Sequence, residues 1–235
     1  MNTTYLWLAL PAVVMMLGGL LTAVWHPSRA LITQVQHLAA GIILAAVAIE
    51  VFPEMRATAI APLALVASFS LGVLFMYAVK LLGDRLERGN AQRAVQGLNY
   101  GFIITVFLDA ALDGLTIGAG FAAGQKVGFA LALGLSVEML FLGMSLISDT
   151  LKGARIVVLS AGLSLTLLAF AVLGYYVLSG MPRSAIAVAL AFSAAALLYL
   201  VTEELLIEAH QHEERSYSML VLFAGFVGFW VISLL

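Results

Sequence analysis

The fold class this 235-residue sequence predicts is an all-α, polytopic membrane protein of eight transmembrane helices, and two observations carry it. Hydrophobic residues make up 63% of the chain and charged residues 10%, with a mean hydropathy of +1.08; soluble domains carry roughly 25% charged residues. The apolar residues also fall into runs near the ~20 residues that an α-helix needs to cross a hydrocarbon layer. Net charge is −2, which predicts no nucleic-acid partner. The absence of cysteine removes disulfides and thiolate metal sites together.

The first run, about 5–25, has no basic residue before it and no small-residue cleavage site after Trp25, so it reads as a retained helix rather than a signal peptide. The second, 33–53, contains His37 near its start and closes with Glu50 and Glu54 around Pro53. The third, 60–82, leads into the longest polar connection, 83–96 (GDRLERGNAQRAVQ). The fourth, 97–122, carries Asp109 and Asp113, and the fifth, 127–149, carries Glu138. The sixth is 155–179. The seventh, 184–208, closes with Glu203, Glu204 and Glu208 and is followed by His210; the eighth is 217–235. All eight form one transmembrane domain, 1–235. Trp7, Trp25 and Trp230 lie near run ends, where aromatic residues anchor helices at the interface.

Orientation follows from the basic residues. With the N-terminus outside, inner loops hold Arg29, Lys80, Arg85, Arg88, Arg93, Lys152, Arg155 and Arg215, and outer loops hold Arg56, Lys126 and Arg183. Eight against three favours both termini outside, with loop 83–96 in the cytoplasm. A bacterial inner (plasma) membrane is the expected location.

Asp109, Asp113 and Glu138 are the chemically informative residues. A carboxylate at the centre of a spanning helix costs about 2.5 to 3.5 kcal/mol on insertion scales, and neither run that holds these three contains a Lys or Arg. Asp109 and Asp113, four residues apart, share a helix face about 6 Å apart along the axis. Antiparallel packing of the fourth and fifth runs brings Glu138 to the same depth. Three oxygen donors on two helices suit a divalent cation, with water or backbone oxygens completing its shell. Gly114 and the small residues up to Gly124 read as packing positions for a neighbouring helix, and the Gly-rich helices also offer a surface for a homodimer.

Two further acidic groups, at the ends of the second and seventh runs, share an i, i+4 spacing: Glu50 with Glu54, and Glu204 with Glu208. Because one run goes outward and the other inward, the match is that of corresponding helices in an inverted repeat. In this reading Glu50 and Glu54 draw cations from outside, while Glu203, Glu204, Glu208 and His210 receive them inside. His37 reads as an interfacial or packing histidine and His26 as loop.

These residues resemble the ZIP family of divalent metal transporters. HLAAGIILAAVAIEVFPE (His37 to Glu54) is similar to that family's second helix, LDAALDGLTIGAGFAAG to its fourth and LLYLVTEELLIEAH to its seventh. The motifs also depart from the family. Asp109 stands where a His is usual, Ala110 replaces Asn and Leu112 replaces Pro in the fourth helix. Glu138 takes a His place and Leu142 that of an acid in the fifth, and Ile207 replaces Pro in the seventh. The resemblance implies an eight-helix, three-two-three inverted-repeat bundle that passes a divalent metal toward the cytoplasm. With imidazoles gone from the centre, the donor set shifts toward harder ions such as Mn, with Fe intermediate, while Zn and Cd stay within reach.

The expected function is therefore secondary transport of a divalent metal, with no tightly bound cofactor and with the lipid bilayer as the surrounding partner. No nucleotide-binding motif is present, and the chain is not expected to be an enzyme. A proton or sodium pathway on the same fold, and a non-transporting metal sensor or structural membrane protein, are the competing readings. Metal binding should strengthen with pH and release protons.

Overall fold

The computed structural model describes residues 3–25, 27–90, 100–145, 154–207 and 217–234; for 87–90, 100–102 and Glu204 it describes backbone alone. Eight helical segments follow one another: α1 Thr3–Val24, α2 Arg29–Ala57, α3 Pro62–Asn90, α4 Tyr100–Ala123, α5 Gln125–Ser145, α6 Ala154–Ser179, α7 from Arg183 to residue 207, and α8 Ser218–Ser233. No strand occurs among the described residues. The first seven are long and apolar enough to cross a membrane, and α8 is a shorter apolar helix of 16 residues. The chain is an all-helical, polytopic membrane protein.

Element boundaries follow local chemistry. Ser28 caps α2 by accepting the amide of Leu31 on its hydroxyl. Pro182 stands at the N-cap of α7, where its missing N–H costs nothing. The polar stretch expected from residue 83 begins as helix: α3 continues past the apolar run to Asn90, where Leu, Arg and Glu favour helix. Residues 91–96 of that connection, 146–149 of the fifth run, and Glu208 and His210 lie outside the described residues.

Both α2 and α7 widen near their ends into one π-helical turn, Val47–Val51 and Val201–Leu205. In each the amide five residues on closes the turn, Phe52 to the carbonyl of Val47 and Leu206 to that of Val201. In α2 the cause is Pro53, which has no N–H to give the carbonyl of Ile49 and needs room beside it. In α7 Thr202 performs a related disruption by donating its hydroxyl to the carbonyls of Leu198 and Tyr199. Aligned on their π turns, the two helices place Glu50 opposite Glu204 and Glu54 opposite Glu208 in sequence.

The extensive helix pairs are α4 with α6, α1 with α5, α2 with α8, α3 with α7, α1 with α6, α2 with α5 and α4 with α5, and α4 also touches α7. Exchanging 1 with 6, 2 with 7, 3 with 8 and 4 with 5 turns this set into itself. The contact of α3 with α4 has no counterpart of similar extent. Helices α2, α5 and α7 are the most buried, and α3 is mostly exposed. Exposed apolar side chains such as Leu63, Leu74, Leu165, Leu220 and Phe223 lie on the outer helices, the surface a hydrocarbon solvent requires.

Small residues let the backbones meet. A Cβ on Gly118 would lie 2.5 Å from the carbonyl oxygen of Ala171 on α6, and one on Gly143 would lie 2.8 Å from that of Met15 on α1. Gly114 faces Leu167 and Ala171 in the same way, so Gly114 and Gly118 serve packing within the chain. On α3, Gly72 abuts Phe192 and Ser68 donates to the carbonyl of Val188 at 2.7 Å. Removing that hydroxyl in Ser68→Ala should cost about 0.6 kcal/mol, the average for interhelical hydrogen bonds in membranes, read as a small fall in thermal midpoint in detergent.

Candidate metal centre

The corner between α4 and α5 sets the depth of the carboxylates. Gly124 is the single non-helical residue there, with its amide bonded to Gly120 and its carbonyl accepting from Gly128. A Cβ on Gly120 would sit 2.7 Å from Leu131 and 3.2 Å from the Cα of Gly128, so only paired glycines permit so sharp a return. Asp109 is fifteen residues before Gly124 and Glu138 fourteen after it, at equal depth in antiparallel helices.

Asp109, Asp113 and Glu138 each present a carboxylate oxygen to one point, and these oxygens lie within 4.8 Å of one another. Asp113 and Glu138 are buried, 3% and 4% exposed, and Asp109 is half-buried. Ala110 and Met139 are fully buried on the same turns. Ser136 turns its hydroxyl back to the carbonyl of Ala132, one turn earlier in α5. Thr116, one turn beyond Asp113, bonds to Ser193 at 3.1 Å and ties α4 to α7. Three converging carboxylates from two rigid helices form a compact oxygen donor set for a cation. This is the grouping of acids capable of holding an ion among the described residues.

The other expected residues are distributed along the bundle. Glu50 lies in the π turn of α2, half-buried. Glu54, one turn on, faces the guanidinium of Arg183 at 4.0 Å. Glu54 and Arg183 line a cavity of about 210 Å³ between the ends of α2, α4, α6 and α7, with Thr58 and Ser179 among its walls. Glu203, at the opposite end of the bundle, is ion-paired with Lys80 of α3. Glu204 lies in the π turn of α7. Neither Glu50, Glu54 nor Glu203 joins the central group.

His37 is fully buried in α2, where Nδ1–H donates to the carbonyl of Thr33 at 2.8 Å. It is therefore a packed histidine with a fixed tautomer rather than an interfacial one. Sequence reasoning missed the Lys80–Glu203 pair and the two π turns. Pro53 was a signal for one of those turns; the pair needed the adjacency of α3 and α7, which no motif announces.

No protein-family model matches this chain, and no curated protein sequence matches it.

Proposed function

We propose that this chain is a secondary transporter of divalent metal cations, with Asp109, Asp113 and Glu138 as the ligands that hold the ion midway across the membrane. The observation that carries the reading is the convergence of three carboxylate oxygens within 4.8 Å, at the depth of helices without a basic residue between Lys126 and the end of α5. Carboxylates placed so need positive charge, and a mobile ion is the economical source.

The exchange relation among helix pairs and the matching π turns support an inverted three-two-three arrangement, in which corresponding helices lie five positions apart in the chain and so run in opposite directions. The resemblance of HLAAGIILAAVAIEVFPE and LLYLVTEELLIEAH to ZIP helices points the same way, and its sense of transport is toward the cytoplasm. In the orientation favoured by the basic residues, the cavity beside Glu54 and Arg183 is the outer vestibule. An oxygen-only donor set favours Mn and Fe(II) over ions that prefer imidazole.

Uptake into proteoliposomes, assayed against Mn, Fe, Zn, Cd, Mg and Ca, tests this. Saturable uptake of at least one divalent ion, lost in Asp113→Ala and Glu138→Ala, is the expected result. Ion flux that continues with every divalent cation chelated identifies a proton or sodium pathway instead. Metal-dependent thermal stabilisation without flux identifies a sensor. Because metal and proton compete for the same oxygens, binding at the site should strengthen as pH rises and release protons, measurable by titration in two buffers of different ionisation enthalpy.

A further inference from the structure

Between α4, α6 and α7 the surface folds inward to a cavity of about 410 Å³ whose walls are almost wholly apolar. It runs from Leu112 to Ala119 on α4 and from Ala189 to Ala196 on α7, about 10 Å along each helix axis. Leu115, Leu173 and Val177 in its lining are among the exposed apolar side chains, so the groove opens sideways to the bilayer. The two hydroxyls of its wall, Thr116 and Ser193, bond each other at 3.1 Å, which leaves carbon to face an occupant. Such a groove takes hydrocarbon, because an unfilled one forfeits dispersion contacts. Arg183 stands six residues before Ala189, about 9 Å nearer the end of the bundle. Its side chain is 84% exposed, and its contact with Glu54 is a distant 4.0 Å. Measured from Arg183, the groove therefore covers depths of about 9 to 20 Å. One leaflet is about 20 Å deep with its headgroups, about 15 Å of that hydrocarbon, which puts the guanidinium at headgroup depth and the groove at chain depth.

We propose that α4, α6 and α7 form a site for one phospholipid of the surrounding bilayer, with its phosphate on Arg183 and one acyl chain in the groove. Hydrocarbon alone would fill the slot with any neighbouring chain. The guanidinium makes it a phospholipid site, since Arg meets a phosphate with paired, charge-assisted hydrogen bonds. Polarity along this seam changes in the same order as along the lipid. The seated chain lies across α4 and α7 where Thr116 and Ser193 join them, so its effect is to hold those helices together. The site stands independently of the transport reading.

The test places the full-length protein in phospholipid vesicles doped with a phospholipid that carries a photoreactive diazirine midway along one acyl chain. After irradiation, labelled peptides are mapped by mass spectrometry, with the exposed face of α3 at Leu63, Leu71 and Leu74 as the reference for lipid that merely surrounds the protein. Label should concentrate on residues 173–178 and 189–196 and reach a plateau of one lipid per chain. Ala189→Phe, which fills the groove from α7, should remove that label and leave α3 labelled as before. Arg183→Gln should weaken binding of the phospholipid about tenfold, the effect of one lost charge-assisted hydrogen bond. Groove labelling no stronger than that of α3 means surrounding lipid only and overturns the proposal, as does undiminished labelling in Ala189→Phe or Arg183→Gln. A diazirine hydrocarbon without a headgroup that labels the groove as strongly as the phospholipid also overturns it. Should Ala189→Phe not fold, Leu173→Trp narrows the same groove from α6, where the side chain is half exposed, and unchanged labelling there counts equally against the site.

Discussion

Replacing Asp109 with lysine is expected to leave the bundle folded and to abolish saturable divalent-cation binding and transport. Asp109 is the half-buried member of the central group, so the longer side chain has room that Asp113 and Glu138 do not offer. Its ammonium would reach the oxygens of Asp113 and Glu138, which share one point with Asp109. The site would then carry its own cation. Two unit charges 4 Å apart interact by about 4 kcal/mol at the effective dielectric typical of protein sites, and a divalent ion beside the new ammonium meets twice that repulsion. A loss of affinity beyond about a hundredfold follows, since ~1.4 kcal/mol is already tenfold.

The companion measurement concerns stability. If the three acids are there to receive a mobile cation, metal-free wild type carries their mutual repulsion and metal-free Asp109→Lys does not. Thermal midpoints in detergent with excess chelator should therefore be equal to wild type or higher in Asp109→Lys, and addition of metal should raise wild type alone. Asp109→Asn, which removes charge without adding any, should fall between the two in metal affinity. A lysine variant that still titrates with metal, or that melts far below wild type in chelator, would show that the carboxylates serve the fold.

The parts of this molecule that were legible in the sequence are those set by composition and short-range spacing. Among the described residues the eight apolar runs are helical, seven of them long and apolar enough to span, because hydrocarbon leaves a chain little alternative to satisfying its backbone within a helix. The convergence of Asp109, Asp113 and Glu138 was legible because a sharp corner at Gly124 fixes the depth of residues on both sides of it. The extension of α3 past residue 83 was not, since a polar helix end and a polar loop have the same composition. The Lys80–Glu203 pair was not either. It joins residues 123 positions apart through a helix contact built from Gly72 and Ser68, neither of which differs in type from residues that face lipid. Of the two readings open for His37, packing or interfacial, the structure shows the first, and the choice depended on which face α2 turns inward.

The largest expected loss of stability comes from one methyl group on α2. Gly41 faces α8 so closely that a Cβ there would fall on the carbonyl of Leu222, with the amide nitrogen of Phe226 at 3.0 Å. Both are backbone atoms of a helix, so no rotamer change relieves the overlap, and α8 must move away from α2 as a body. Overpacking of a well-packed contact typically costs about 1–3 kcal/mol, occasionally more, and this case belongs at the upper end. The buried residues of α8 are Ser218, Leu222, Gly225 and Phe229, a single stripe at spacings of four, three and four. Gly225 in turn meets the carbonyl of Leu38 at 2.5 Å from a built Cβ, so the stripe is already seated as deeply as backbones permit. Gly41→Ala should thus lower the thermal midpoint sharply and expose α8 to proteolysis. Gly228→Ala is the control: nothing lies within 4 Å of its Cβ position, and alanine in a helix interior is favoured over glycine by roughly 0.5–1 kcal/mol. Equal midpoints for the two variants would refute the α2–α8 contact. The contact matters to the site because α2 also packs against α5, which carries Glu138, and ends in the turn that holds Glu50. A displaced α8 removes one of the three helices that hold α2, beside α5 and α7, so Gly41→Ala should weaken metal binding as well, without touching any carboxylate.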